Sequence, residues 1–113
     1  MSNNYIRAKQ QEIVNVAEQM ISGKMSLIEG CRRLRMLSFD AEESENKIFS
    51  YILGVDAETD ELPIGDARKK WTLSKQKEFD TKEKEYLNLE SPAIIKSCKA
   101  IATYFKRNEN QNL

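Results

Sequence analysis

The chain has 113 residues, of which 40% are hydrophobic and 32% are charged, and its formal net charge is zero. This length supports one hydrophobic core and is too short for a second one, and the composition argues against a disordered chain. No apolar run approaches the roughly 20 residues that span a bilayer, and residues 1–10 contain no apolar signal-peptide core, so the expected location is the cytoplasm.

Two helices are predicted in the first third of the chain. Apolar residues recur at helical spacing from Tyr5 to Ser22, and Gly23 is placed to close this helix. Ser26 and Glu29 have the spacing of a capping box, which predicts that the second helix begins at Ser26. Gly30 lies inside the second helix at a cost of roughly 1 kcal/mol relative to alanine. We therefore expect another helix to approach closely there.

A third helix and an acidic loop follow. Asp40 can cap the third helix, and glutamates would fill its first turn, where the helix dipole favours negative charge. Gly54 is expected to end it. Residues 55–66 are predicted to form an irregular acidic loop, because Pro63 and Gly65 interrupt regular structure.

The last third predicts two further helices. Thr72 or Ser74 can cap a mostly charged helix at the edge of the bundle, which buries only a narrow apolar stripe. Ser91 and Pro92 are typical of a helix start, and the fifth helix that they open has a continuous apolar face that we interpret as a central packing element. Residues 108–113 are expected to fray.

The predicted fold class is therefore all-α, a single compact bundle of about five helices over residues 1–113. A two-stranded excursion near Val55 or Ile64 is the main expected exception. Cys31 and Cys98 have no metal-ligand spacing and would face inward, so they are interpreted as buried thiols.

Catalytic and metal chemistry find little support. Histidine is absent, which removes the commonest general base and the most frequent metal ligand. There is no Walker A loop and no G-x-G-x-x-G. Asp56, Glu58 and Asp60 alternate like the opening of an EF-hand loop, but Glu61 stands where glycine is required and Ala67 where glutamate is required. We predict a protein that is not an enzyme and has no metal, cofactor or small-molecule substrate.

Charge is unevenly distributed along the chain. Residues 1–39 carry six basic and three acidic groups, residues 40–66 one and nine, and residues 67–113 eleven and six, which gives net charges of +3, −8 and +5. An acidic block of this kind is commonly a solvated face that is attracted to its basic flanks. The alternative is a docking surface for a basic partner.

Nucleic-acid binding is an alternative with two candidate features. Arg32, Arg33 and Arg35 share the second predicted helix, and the basic run 68–70 adjoins Trp71, a combination suited to phosphate contacts and base stacking. A chain with zero net charge and a pI near 6.3 lacks the strong positive field that phosphate binding usually needs. Nucleic acid is therefore not the favoured partner, and Trp71 is interpreted as a core anchor.

Three sequence elements carry a family resemblance: IEGCRRL (28–34), D-x-E-T-D-x-L-P-x-G (56–65) and R-x-x-W (68–71). Together they resemble a pattern found in small bacterial proteins of unknown function, over roughly residues 20 to 75. This resemblance implies that the loop is a specified feature and assigns no catalytic role. In size, helical build and acidic surface the chain also resembles immunity proteins, which protect bacteria from toxins delivered by neighbouring cells.

The resemblance to immunity proteins implies a mechanism. Nuclease toxins have basic substrate sites because these hold phosphates, and an acidic surface can occupy such a site. We therefore predict a cytoplasmic protein-binding module that neutralises a basic, nuclease-type toxin domain and has no membrane partner. The expected contacts are Asp56, Glu58, Asp60 and Glu61, with Glu42, Glu43 and Glu45 as an outer rim.

A second hypothesis makes the same loop a structural clasp. In it, loop side chains cap helix ends, Arg68 pairs with one of the loop acids, and Trp71 is held against the core. The capping residues would be Asp56, Thr59, Asp60 and Asp66.

Overall fold

The computed structural model describes the backbone of residues 3–111 and the side chains of residues 3–107. Within these residues the chain forms four α-helices, namely α1 (Asn3–Ile21), α2 (Leu27–Asp40), α3 (Ser50–Glu58) and α4 (Leu73–Gln111). Two 3-10 helices, Lys47–Phe49 and Gly65–Lys70, precede α3 and α4. No strand occurs in residues 3–111, which confirms the all-α class. The expected two-stranded excursion near Val55 or Ile64 is therefore wrong.

The end of α1 and the start of α2 form as their local sequence predicts. Gly23 has a φ of 80°, and its N–H donates to the carbonyl of Met20 at 3.3 Å, so a left-handed glycine closes α1. The Ser26 hydroxyl accepts from the N–H of Glu29 at 3.4 Å and caps α2. A Cβ atom at Gly30 would lie 2.4 Å from the Met20 side chain, which confirms the predicted close approach.

The hydrophobic core lies between α1, α2, α3 and the C-terminal half of α4. Burial of each large aliphatic side chain contributes roughly 1.5–3 kcal/mol, so this cluster is the main source of stability. The largest fully buried apolar side chains are Ile13, Met20, Ile28, Leu34, Phe49, Ile52, Ile94 and Ile101.

The two cysteines are free and buried, as predicted. Burial is the main cause that raises the pKa of Cys31 to about 12 and the pKa of Cys98 to about 11. Both therefore remain protonated near neutral pH, and a protonated thiol is a poor nucleophile and metal ligand.

The predicted fourth and fifth helices are one continuous helix, so the predicted start at Ser91 is wrong. Pro92 lies inside α4 and cannot donate to the carbonyl of Asn88. Both residues are exposed, so water can replace the missing hydrogen bond, while the buried Ile94 and Cys98 hold the next turns on the core. Within the predicted frayed tail, α4 continues to Gln111, and residues 112 and 113 lie outside the described residues.

The third predicted helix has different bounds. Asp40 is the last residue of α2 and caps nothing, whereas α3 begins at Ser50 and continues through Gly54 to Glu58. Tertiary contacts outweigh the helix-ending tendency of glycine, since Val55 is buried in the core one residue later. The irregular loop is accordingly shorter than predicted, because residues 55–58 are helical and the 3-10 helix Gly65–Lys70 follows.

The N-terminal half of α4 lies at the edge of the bundle, as its charged sequence predicts. The Thr72 hydroxyl caps it by accepting from the N–H of Lys75 at 3.2 Å. Phe79 of the narrow apolar stripe is buried, whereas Leu73 at the start of the helix is 77% exposed. Across residues 3–111, none of the helices combines the length and apolarity required to cross a membrane.

Candidate protein-interaction site

Asp56 is not an exposed loop acid. It lies in α3 and is only 7% exposed. One carboxylate oxygen lies 2.6 Å from Nε of Arg35 and the other 3.4 Å from Nε of Arg32. Because α3 extends past Gly54, it turns this carboxylate towards the arginines of α2. The prediction that Asp56 projects outward as a partner contact is therefore wrong.

Arg32 also fixes the chain that follows α3. Its terminal nitrogen donates to the carbonyls of Thr59 at 2.8 Å and Leu62 at 3.2 Å, both in the segment that follows α3. The Thr59 hydroxyl in turn donates to the carbonyl of Val55 at 2.7 Å. Arg32 thus clasps the loop to α2, whereas the second hypothesis gave this role to Arg68 and the loop acids.

The remaining loop acids differ in their surroundings. Glu58 is exposed and accepts a hydrogen bond from the Tyr86 hydroxyl at 2.8 Å. Burial and this bond raise the pKa of the Tyr86 phenol above its ordinary value. Asp60 and Glu61 are exposed and form no ion pair with the side chains of residues 3–107.

The residues predicted to form the clasp with Arg68 make other contacts or remain exposed. Arg68 forms an ion pair with Asp80 of α4 and does not reach a loop acid. Asp66 is exposed in the first turn of the 3-10 helix Gly65–Lys70, which has no side-chain cap. Trp71 is 46% exposed and packs edge to face against Phe79 with centroids 5.2 Å apart, so its assignment as a core anchor is wrong.

The three arginines of α2 do not form a common cationic face. Arg32 and Arg35 share the Asp56 carboxylate. Arg33 lies on a separate groove between α1 and α2, together with Glu12 and Asp40. Because Arg32 and Arg35 are both turned to the Asp56 carboxylate and Arg33 lies elsewhere, the geometry weighs against phosphate binding by this set.

A groove with both aromatic and acidic side chains lies where α2 ends beside the C-terminal half of α4. We call it the terminal groove. Sequence reasoning selected its glutamates as an outer rim and missed its aromatic residues, although Phe39 and Tyr104 both fall outside the apolar stripes of their helices. Its lining residues are Phe39, Glu42, Glu43, Ser44, Glu45, Asn46 and Tyr104.

One wall of the terminal groove is set by the way α2 ends. The N–H of Glu43 donates to the carbonyl of Ser38 at 2.7 Å, and the N–H of Glu42 donates to the carbonyl of Phe39 at 3.0 Å. This pair of bonds requires a left-handed residue, and Glu42 adopts it with a φ of 58°. A non-glycine residue in this conformation is uncommon and costs roughly 1–2 kcal/mol. The turn leaves Phe39 73% exposed.

The floor of the groove is tied to the core. The Asn46 side chain accepts from the N–H of Ile48 and donates to the Glu43 carboxylate, each at 3.0 Å, and so caps the 3-10 helix Lys47–Phe49. The ring of Phe49, at the end of that 3-10 helix, lies 5.8 Å from the ring of Phe105. These contacts hold residues 42–46 beside α4.

The opposite wall comes from α4. Tyr104 packs edge to face on Phe105 with centroids 4.9 Å apart and remains 37% exposed. Two aromatic side chains and three glutamates therefore line one groove, and none of the residues that line it is basic.

Comparison with known protein families matches residues 2–101 to a family described as a protein of unknown function, DUF2489. The chain belongs to the DUF2489 family. The predicted membership of a small uncharacterised family is confirmed, and the match extends beyond residues 20 to 75 to include most of α4. Comparison of this DUF2489 chain with curated proteins and with solved structures gives no match.

In this DUF2489 chain, exposed acids among the predicted partner contacts lie in two separate groups. The glutamates of the terminal groove precede α3, whereas Asp60 and Glu61 follow it. With a rise of 1.5 Å per residue, the nine residues of α3 hold the two groups on the order of 13 Å apart. The predicted arrangement of central contacts and surrounding rim is thus replaced by two acidic sites, and only the terminal groove adds aromatic side chains.

The terminal groove of this DUF2489 chain offers aromatic and carboxylate side chains. Among the side chains of residues 3–107, no cluster of three or more acidic, cysteine or histidine groups is arranged to hold a metal ion. Exposed aromatic rings offer apolar contact area, and carboxylates accept hydrogen bonds from lysine and arginine. The groove is therefore suited to a surface that is both basic and partly apolar.

Proposed function

We propose that this DUF2489 protein is a protein-binding module that takes up a basic partner surface in the terminal groove. The observation that carries the proposal is the placement of exposed Phe39 and Tyr104 among Glu42, Glu43 and Glu45. Aromatic side chains are enriched among residues that dominate binding energy, and the surrounding charges select the partner. The proposed role is binding without catalysis.

The proposed partner is a basic, nuclease-type toxin domain, so the chain would act as an immunity protein in the cytoplasm. The phosphate-binding lysines and arginines of such a domain are complementary to the groove carboxylates. A groove seated over them would exclude nucleic acid from the toxin site. Phe39 would supply the apolar anchor at the centre of the contact, where water is excluded.

Isothermal titration with a nuclease toxin domain tests the site as well as the function. The Glu42→Lys/Glu45→Lys variant should bind about 100-fold more weakly, because reversal replaces attraction by repulsion in the groove. The matched control is Asp60→Lys/Glu61→Lys, which makes the same charge change at the other acidic site and should bind like the unaltered protein. The affinity of the unaltered protein should fall as salt is added.

The opposite result for the two variants would place the binding site at Asp60 and Glu61. If Asp60→Lys/Glu61→Lys abolished binding and the groove variant retained it, the assignment to the terminal groove would be wrong. Absence of binding by the unaltered protein to nuclease toxin domains, with no inhibition of their activity, would overturn the immunity role itself.

A further inference from the structure

Helix α2 carries a surface that the proposed function does not use. Four of its residues have the spacing i, i+3, i+4, i+7, so they fall on one side of the helix. All four line the groove between α1 and α2, and none of them lines the terminal groove. We call this set the α2 face. Its members are Arg33, Met36, Leu37 and Asp40.

The α2 face has an apolar centre and opposite charges at its two ends. Met36 is 56% exposed, whereas Leu37 beside it is buried in the core. Arg33 lies about one turn before this centre and Asp40 about one turn after it. The face therefore reads as positive, apolar and negative along the direction of the helix.

The position of Asp40 is unfavourable within a single chain. Asp40 is the last residue of α2, and a carboxylate at the end of a helix opposes the helix dipole. Neither Asp40 nor Arg33 forms an ion pair with the side chains of residues 3–107. Two charges of opposite sign are thus left without ion-pair partners, on either side of an exposed methionine.

We propose that the α2 face binds the α2 face of a second copy of this chain, with the two helices antiparallel. A two-fold axis between residues 36 and 37 is equally far from residues 33 and 40. Arg33 of each copy therefore lies opposite Asp40 of the other, and the same ion pair forms twice. The two Met36 side chains pack against each other at the centre of the contact.

Charge complementarity favours a second copy as the occupant. A parallel pair would place Arg33 against Arg33 and Asp40 against Asp40, whereas the antiparallel pair opposes unlike charges at both ends. The flexible side chain of Met36 can adapt to the groove between α1 and α2, whose lining includes the apolar Val16. The inference does not depend on the proposed function, because it uses none of the residues that line the terminal groove.

A contact between two helix faces is small, so the dimer should be weak and reversible. At the low protein concentrations of a denaturation experiment the chain should be monomeric, and a substitution on the α2 face should then not act through dimerisation. Dimerisation should increase with protein concentration and decrease as salt is added.

Sedimentation equilibrium tests the two ion pairs by charge exchange. The mass of the unaltered chain should rise from 13.1 kDa towards twice this value as its concentration increases. Arg33→Asp and Asp40→Arg should each weaken dimerisation by about 10-fold or more, because each opposes like charges twice. An equimolar mixture of the two variants should dimerise again, because unlike charges then meet at both ends. The double variant Arg33→Asp/Asp40→Arg should dimerise for the same reason.

Two matched controls separate the contact from a change in net charge. Lys99→Asp and Asp60→Arg make the same charge changes at exposed positions outside the α2 face, and each should dimerise like the unaltered chain. Circular dichroism establishes that every variant is folded. The antiparallel pairing would be overturned by an unaltered chain that stays monomeric up to about 1 mM. Full dimerisation of Arg33→Asp, or a double variant that stays monomeric, would overturn it as well.

Disulfide cross-linking tests the register of the two helices. Met36→Cys places one thiol of each copy beside the two-fold axis, so oxidised glutathione should convert this variant into a covalent dimer. Cys31 and Cys98 are buried and should not react. Leu89→Cys is the control, at an 80% exposed position of α4, and should remain a single chain. Equal cross-linking of the two variants would show random collision and would contradict the proposed register.

Discussion

Arg32 connects α2 to three acceptors on another part of the chain. It shares the Asp56 carboxylate with Arg35 and donates to the carbonyls of Thr59 and Leu62. Among the described side chains, no buried nitrogen or oxygen lacks a hydrogen-bond partner. Removal of the guanidinium would take one partner from the buried Asp56 carboxylate and one hydrogen bond each from the carbonyls of Thr59 and Leu62, which costs more than the loss of an exposed charge.

We expect Arg32→Ala to lower the free energy of unfolding by about 2–4 kcal/mol, because a buried charge loses a partner and the loop loses its anchor. Urea denaturation followed by circular dichroism measures the change. Arg33→Ala is the matched control in the same helix, and at an exposed position it should change stability by less than about 0.5 kcal/mol. Equal effects from the two substitutions would show that the clasp does not stabilise the fold.

At the level of elements, α4 gives the molecule its length. Its C-terminal half closes the core through Ile94, Cys98 and Ile101, whereas its N-terminal half is mostly exposed. The Tyr51 and Tyr86 hydroxyls tie α3 to α4 by donating to the carboxylates of Glu90 and Glu58. Helix α4 therefore continues through Pro92 because core packing holds the residues after the proline and these hydrogen bonds hold the residues before it.

Pro92→Ala should stabilise the protein by about 2–3 kcal/mol, because alanine restores the hydrogen bond to the carbonyl of Asn88 and removes the clash with it. Chemical denaturation measures the gain. Thr103→Ala, at another exposed position of α4, should change stability by at most about 0.5 kcal/mol and serves as the control. A loss of stability in Pro92→Ala would mean that the helix needs a bend at this residue.

At the scale of the whole molecule, zero net charge conceals an uneven distribution of charge. The acidic block loses Asp56 to an internal ion pair, and the exposed acids that remain lie before and after α3. In the basic segment 67–77, Arg68, Lys69 and Lys75 pair with Asp80, Asp66 and Glu78. The terminal groove differs from this segment, because no basic residue lines it.

We expect global stability to fall as pH rises from about 9 to about 12. Burial and hydrogen bonding to Glu90 raise the pKa of Tyr51 to about 12, and burial raises the pKa of Cys31 to about 12 and of Cys98 to about 11. Over this range the folded chain keeps protons that the unfolded chain releases, so the stabilisation present below the ordinary pKa values is lost. The free energy of unfolding measured against pH checks this expectation.

Tyr51→Phe removes one of these titrating groups and should flatten the decline above about pH 10, the ordinary pKa of tyrosine. The cysteine contribution should remain in this variant. A stability profile that is level across the alkaline range would contradict the buried, protonated state of these groups.

The sequence by itself determined the features that depend on neighbours along the chain. Helical spacing predicted the all-α class and the apolar face of the last helix. Gly23 and Ser26 predicted the turn between α1 and α2, and the inward positions of the cysteines predicted their burial. Each follows from side-chain periodicity or from a backbone hydrogen bond that spans a few residues.

Only the tertiary structure decided which charges are free and which surfaces form. Asp56 has the same local pattern as Asp60, but arginines 21 and 24 positions away bury the first of them and leave the second exposed. Packing against the core keeps α3 helical beyond Gly54 and α4 helical through Pro92. The terminal groove joins Phe39 to Tyr104, and no local pattern can predict such a contact, because it depends on how the helices that carry them pack against each other.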